Sequence, residues 1–213
     1  MEVQLSTIIF FFITTILVLL TSPTASQITF PPTASPAFSP ISDETDYIRT
    51  SCETTRYPEI CFSTLSNYSY TIHHDPCRLA MMAIHVALSK ATHMANYVTN
   101  MSNQSLSINT TESLAIQDCS SVFEDAVYEI KKSRKEMKHL GWSGESIKFQ
   151  LSNVQTWMSA ALTNEDTCMD GFEDVADESE MKKDVCDHVV KVMQVTSNAL
   201  ALVNHYADKY SGN

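Results

Sequence analysis

The sequence predicts an all-α protein: an antiparallel up-down-up-down four-helix bundle, stapled by disulfides and preceded by a small helical hairpin. Apolar residues recur at helical spacing over the segments 79–101, 119–137, 147–162 and 185–206. Short connections join these segments, which favours antiparallel neighbours. No alternation typical of strands follows residue 41, and the presence of only four glycines disfavours many tight β-turns.

The first two bundle helices carry recognisable start signals. Asp75 followed by Pro76 predicts the first start, because aspartate caps a helix and proline suits its first turn. Asn109 with Glu112 three residues later predicts the second start. The second helix is expected to end near Gly141, and the lysines and arginine before it suit the negative end of the helix dipole.

The third bundle helix is expected over about 144–162, and the polar run Thr-Asn-Glu-Asp-Thr after it indicates an exit from the helix. Cys168 follows at once, a good position for a cross-link to a neighbouring helix. Polar and acidic connections are expected over 102–111 and 170–180.

The N-terminal part indicates a secreted protein. An apolar run too short to span a bilayer is followed by small residues, which is typical of a cleaved signal peptide. N-glycosylation sequons support the same route; they begin at Asn67, Asn100, Asn103 and Asn109. The predicted organisation is a signal peptide (1–26), a Pro/Ser/Thr-rich linker (27–41) and one domain (42–210), comprising the hairpin (42–70) and the bundle (75–210).

Six cysteines in a secreted chain predict disulfides. Cys52 and Cys61 flank a turn, and a bridge between them would stabilise a hairpin that has little core of its own. Cys119 lies near the start of the second bundle helix and Cys168 just after the third. An antiparallel topology brings these two positions to the same end of the bundle, so they can form a bond.

The other cysteines are expected to be free and buried. Cys77 starts the first bundle helix and Cys186 starts the fourth, so an antiparallel bundle holds them most of a helix length apart. An intermolecular bond through Cys77 is the alternative.

Charge limits the class of partner. The net charge of −11 disfavours nucleic acids and anionic membranes, and a basic protein is the more natural partner. The histidine pairs His85 with His93 and Asp184 with His188 bring no third metal ligand at suitable spacing.

Motifs for catalysis or a cofactor are not found. The run that begins at Gly141 lacks the G-x-S-x-G spacing of a nucleophile elbow, and the acidic connection lacks the ligand pattern of an EF-hand. We expect no cofactor and no metal, and a binding module rather than an enzyme.

Three motifs carry a family resemblance. They are Cys52-x8-Cys61 with Tyr-Pro between, Asp118 before Cys119, and the run WMSAALTNEDTC that ends at Cys168. With these motifs the chain resembles the plant invertase/pectin methylesterase inhibitor family, closest to the pectin methylesterase inhibitor branch. Invertase inhibitors tend to carry Pro-Lys-Phe where this chain has Ile-Lys-Phe.

The resemblance implies a hairpin followed by a four-helix bundle, the same two disulfides and a free cysteine at Cys186. It also implies that one face of the second, third and fourth bundle helices covers the substrate cleft of the enzyme. An acidic residue is usual where Ser121 stands and often where Tyr128 stands, so two carboxylates are lost here. The implied interface residues are Ser121, Glu124, Asp125, Tyr128, Gln155, Thr167 and Asp170.

The resemblance therefore predicts a secreted, non-catalytic inhibitor of pectin methylesterase in the apoplast, forming a 1:1 complex with its target in the cell wall. One alternative is an inhibitor of cell-wall or vacuolar acid invertase. A further alternative is a non-inhibitory structural or chaperone-like wall glycoprotein. The sequence leaves open whether the hairpin packs on its own bundle or exchanges with a second copy.

Overall fold

The computed structural model describes residues 40–105, 110–142, 144 and 146–210. The predicted signal peptide, all but the last two residues of the predicted linker, and Asn109 lie outside these residues. Every regular element of the described chain is helical, which confirms the predicted all-α class.

The N-terminal hairpin consists of α1 (Pro40–Cys52) and α2 (Pro58–Leu65). A 3₁₀ turn, Ser66–Tyr68, and a single-turn helix α3, Ser69–Ile72, lead from it to the bundle. The helix α1 begins two residues before the expected start of the domain at residue 42. The Cys52–Cys61 disulfide closes the hairpin, with 5.6 Å between the two Cα atoms.

The bundle contains four long helices in the predicted up-down-up-down order. They are α4 (Pro76–Ser105), α5 (Thr111–Lys138), α6 (Ile147–Asp170) and α7 (Glu180–Ala207). Each helix packs against the helices before and after it in the chain, and α7 returns to pack against α4. The stripes of apolar residues predicted from the sequence face the common core.

The helix starts agree with the sequence in the first case and differ in the second. Asp75 Oδ1 accepts hydrogen bonds from the first-turn amides of α4, at 2.8 and 3.1 Å. The cap of α5 is Thr110, not Asn109, because Thr110 and Ser113 bond reciprocally in a capping box. The helix α4 also runs into the segment expected to be a polar connection, as far as Ser105.

The third bundle helix is longer than predicted. Its polar run does not leave the helix, and α6 continues to Asp170. Within the helix, two threonines of the run satisfy their hydroxyls by donating to carbonyls one turn back, Thr163 to Ser159 and Thr167 to Thr163. Glu165, in the middle of the run, is fully buried in the core.

The hairpin packs on its own bundle, against α4 and α7. The buried amide of Asn198 on α7 bonds to both backbone groups of Tyr57, donating to its carbonyl at 2.9 Å and accepting from its N–H at 3.1 Å. This paired contact fixes the turn of the hairpin on the bundle.

The second disulfide joins Cys119 of α5 to Cys168 in the last turn of α6, with 4.3 Å between the Cα atoms. Cys77 and Cys186 are free, but both are half-buried rather than fully buried as predicted. The Cys77 thiol contacts Tyr206 near the end of α7, and burial raises its pKa. Cys186 lies near the start of α7, at the opposite end of the bundle.

Candidate functional site

The Cys119–Cys168 bond defines one end of the bundle, because it ties the start of α5 to the end of α6. We call this end the stapled end. Thr167 and Asp170 flank Cys168 there, and both side chains are exposed. Ser121 follows Cys119 by two residues on α5. The structure therefore brings three of the sequence-predicted interface residues into the same region.

An exposed stripe extends from the stapled end along α5. Ser121, Asp125 and Tyr128 are exposed and separated by four and then three residues, which places them on one side of the helix. Tyr128 is 60% exposed, so much of its ring is open to a partner, although Lys132 of the same helix lies 5.3 Å from the ring centre. Glu124 is also exposed, and it flanks the stripe on the side opposite Asp125, three residues after Ser121 and four before Tyr128.

The end of α6 presents one hydroxyl group and one carboxylate. The Thr167 hydroxyl donates to the Thr163 carbonyl at 2.9 Å, so its remaining lone pairs face solvent. Asp170 is the last residue of α6, and Gly171 is the C-cap. A negative charge at a helix C-terminus is disfavoured by the helix dipole, so helix capping does not explain Asp170.

Gln155 lies apart from the other predicted residues. Its side chain is half-buried, and its amide Nε2 donates to Asn204 Oδ1 on α7 at 2.9 Å. Twelve residues separate it from Thr167, which corresponds to about 18 Å along α6. Gln155 therefore ties α6 to α7 at a distance from the stapled end.

A cation–aromatic cluster that the sequence did not reveal lies beside the stripe. The Lys132 ammonium lies 4.4 Å from the centre of the Trp157 ring on α6 and 5.3 Å from that of Tyr128. Lys132 Nζ also bonds to Glu129 at 3.2 Å. The four-residue spacing of Tyr128 and Lys132 was a signal for their contact, but the contact with Trp157 depends on how two helices pack.

Buried side chains hold the connection from α6 to α7, residues 171–179, against the bundle. Phe172 and Val175 are buried, although the sequence suggested only a charged surface. Lys182 Nζ donates to the Val175 carbonyl and to Asp177, both at 2.8 Å. The hydrogen bond and the charge of Lys182 lower the pKa of the Asp177 carboxyl.

Exposed carboxylates dominate this part of the molecule. They lie on the stapled end of α5, on the end of α6 and along the connection; they are Asp118, Glu124, Asp125, Asp166, Asp170, Glu173, Asp174, Asp177, Glu178 and Glu180. Together they generate a negative potential that suits a basic protein surface. The arrangement offers charge-assisted hydrogen-bond acceptors and aromatic contacts, which are features of a recognition surface.

Neither a metal site nor a membrane-spanning helix is found among the described residues. Among the described residues, no three His, Cys, Asp or Glu side chains are grouped so that they could hold a metal ion. No helix in the described part of the chain is long and apolar enough to cross a membrane.

Known proteins are similar in sequence to this chain over most of its length. The chain is 41% identical over 165 residues to a "21 kDa protein" of Daucus carota, covering 77% of this chain and 85% of the relative. It is 40% identical over 173 residues to "Pectinesterase inhibitor 9" of Arabidopsis thaliana, covering 80% and 85% of the two chains.

A solved structure shares the fold. The crystal structure of a mutant form of a pectin methylesterase inhibitor from Arabidopsis superimposes with a TM-score of 0.59 at 17% sequence identity. The match covers 74% of this chain and 95% of that one. Residues 46–202 match the family described as plant invertase/pectin methylesterase inhibitor. The chain therefore belongs to the plant invertase/pectin methylesterase inhibitor family.

Proposed function

We propose that the protein is a secreted inhibitor that binds pectin methylesterase and blocks its substrate cleft. The observation that carries the proposal is the 40% identity to a relative named pectinesterase inhibitor, which extends over 80% of this chain and 85% of the relative. Similarity over that length includes both disulfide-linked elements and the exposed stripe of α5. Inhibition then requires no chemistry from this chain, only occupation of the cleft.

The stapled end is the proposed contact surface. Asp125 and Asp170 supply carboxylates, Ser121 and Thr167 supply hydroxyl groups, and Glu124 flanks the contact. Charges of one sign steer a partner of opposite sign and accelerate association. A standard protein–protein interface covers about 800 Å² on each partner. In a 1:1 complex the stripe of α5 and the end of α6 would form the centre of such a surface.

The cluster of Lys132, Tyr128 and Trp157 is the proposed aromatic edge of this contact. Tyrosine and tryptophan supply much of the binding energy in many interfaces because they bury large areas at small cost in side-chain entropy. Lys132 holds both rings in place before binding. Gln155, bonded to Asn204, would contact the enzyme only if the interface extends along α6 away from the stapled end.

We further propose that the protein acts in the apoplast. Disulfides persist in extracellular compartments, and the chain has two. Asn67, Asn100 and Asn103 are exposed, as glycan attachment requires. Asn100 and Asn103 lie near the end of α4, beside the stapled end.

The test is a titration of the purified mature protein against a panel of pectin methylesterases and acid invertases, at acidic and neutral pH. We expect loss of pectin methylesterase activity as the inhibitor approaches one equivalent per enzyme. The reduced and alkylated protein is the control, since it lacks the disulfides that hold the stapled end together. Inhibition of invertase alone, or of no enzyme, would contradict the proposal.

A further inference from the structure

A basic cleft lies at the end of the bundle opposite the stapled end. It has a volume of about 380 Å³ and lies between α3, the start of α4 and the end of α5. Its lining residues are Thr71, Arg78, Met81, Met82, His85, Arg134 and Lys138. We use the name basic cleft for this set of residues.

The cleft concentrates positive charge in an acidic protein. The whole chain carries a net charge of −11, yet Arg78, Arg134 and Lys138 converge here. Arg134 Nη1 lies 3.5 Å from Nδ1 of His85, so a second basic group adjoins it. Asp75 is an acid close to the cleft, with its carboxylate 3.9 Å from Arg78 Nε. Because both side chains are about half exposed to solvent, this ion pair is weak.

Helix dipoles explain only part of this charge. Lys138 lies in the last turn of α5, where a cation is favoured. Arg78 lies in the first turn of α4, where the dipole disfavours a cation. Bringing Arg78 close to the cations of α5 therefore costs electrostatic free energy twice, once from the dipole and once from like-charge repulsion. A bound anion would offset both costs.

The apolar residues that line the cleft indicate which kind of anion fits. Met81 and Met82 are half-buried and line the cleft together with the cations, so the cleft offers apolar, polarizable surface as well as positive charge. A guanidinium group binds a carboxylate through two parallel hydrogen bonds. The complementary ligand thus has an apolar ring face flanked by carboxylates. A chain of uronic acid residues has this chemistry, because each pyranose ring carries C–H faces and one carboxylate.

We propose that the basic cleft binds a linear polyuronate, the de-esterified form of pectin. This inference rests on the proposed function, because hydrolysis of a methyl ester of pectin leaves a carboxylate on the polymer. The cleft would then retain the inhibitor where the target enzyme has already acted. Ser121 and Lys138 are about 25 Å apart along α5, so polymer and enzyme can occupy opposite ends of the molecule together.

The test is a calorimetric titration of the mature protein, without enzyme, with an oligomer of galacturonate at low ionic strength. The variant Arg134→Gln with Lys138→Gln removes two exposed charges from the cleft. The matched control is Lys90→Gln with Lys191→Gln, which removes the same charge from a separate groove between α4 and α7. We expect the cleft variant to weaken binding by about tenfold or more and the control to remain close to the wild type.

Two further ligands test the assignment. A fully methyl-esterified oligomer has the same rings without carboxylates and should not bind, and polyglutamate has carboxylates without pyranose rings and should bind more weakly. The proposal is overturned if the wild type fails to bind galacturonate, if both double variants lose affinity equally, or if polyglutamate binds as tightly. Binding of the same variants to pectin methylesterase, measured without polymer, reports separately on the proposed function.

Discussion

Glu165 is a fully buried carboxyl group between α6 and α7. The Thr196 hydroxyl donates to its Oε1 at 2.8 Å, while Oε2 has no hydrogen-bond partner among the described residues. Burial is the dominant effect and raises the pKa of Glu165 from 4.5 to about 8, against the smaller opposing effect of the hydrogen bond. The folded protein therefore holds Glu165 protonated at acidic and neutral pH.

This burial predicts that stability falls with rising pH. Between about pH 4.5 and about pH 8 the unfolded chain loses the Glu165 proton while the folded chain keeps it. Each pH unit in this window then lowers the free energy of unfolding by up to about 1.4 kcal/mol through this group. Glu165→Gln should remove this contribution and raise stability at neutral pH, as measured by urea unfolding across the pH range. An unchanged pH dependence in the variant would contradict the burial of the proton.

Asp170 is expected to contribute nothing to folding. Because its carboxylate lies at the C-terminus of α6, Asp170→Asn should leave the free energy of unfolding unchanged or raise it by no more than about 1 kcal/mol. Thr110→Ala is the comparison, because loss of the capping box of α5 should cost about 1 kcal/mol. If thermal denaturation instead shows that Asp170→Asn destabilises as much as Thr110→Ala, then Asp170 has a structural role.

At the scale of elements, the two disulfides are expected to differ in strength. Cys119→Ala with Cys168→Ala opens a loop with a sequence separation of 49, and the chain-entropy model assigns that loop about 4 kcal/mol. Cys52→Ala with Cys61→Ala opens a separation of 9, worth about 2–3 kcal/mol. Urea unfolding followed by circular dichroism measures both. The opposite order would show that the hairpin contributes more to stability than its size suggests.

The sequence predicts the helices better than their ends. Periodicity locates the four bundle helices because a buried stripe repeats regardless of the partner it packs on. The end of α6 was misplaced because its last two turns contain polar residues, which indicate an exit when read alone. Their helical state depends on Glu165 packing against Thr196 of another helix, which is a tertiary contact that local spacing does not reveal.

The candidate site was predictable where it depends on one helix and not where it depends on two. The family resemblance named Ser121 and Asp125, and their spacing within one helix suffices to place them on the same face. The contact of Lys132 with Trp157 requires the packing of α5 on α6. The basic cleft was missed for the same reason, since Arg78 and Arg134 come from helices that are distant in sequence. The lysines of α5 had a sufficient explanation in the helix dipole.

At the scale of the whole molecule, the acidic stapled end and the basic cleft lie at opposite ends of the bundle. Carboxylates are concentrated at the stapled end, and cations line the cleft at the other end. Exposed charges attract a partner over about one Debye length, which is about 10 Å at moderate ionic strength. We expect the association rate with pectin methylesterase to fall as salt is added, while the dissociation rate changes less. Stopped-flow or surface-based kinetics over a salt series measure both rates, and a salt-independent association rate would contradict electrostatic steering.

The central claim is that the stapled end of this inhibitor holds the enzyme. The most direct measurement is the dissociation constant for pectin methylesterase of the variant Asp125→Asn with Asp170→Asn. The matched control is Asp46→Asn with Glu53→Gln, which removes two exposed negative charges from the region of the N-terminal hairpin. We predict that the stapled-end variant binds about tenfold or more weakly and that the control binds like the wild type. Equal affinity of the two variants, or a larger loss in the control, would contradict the account.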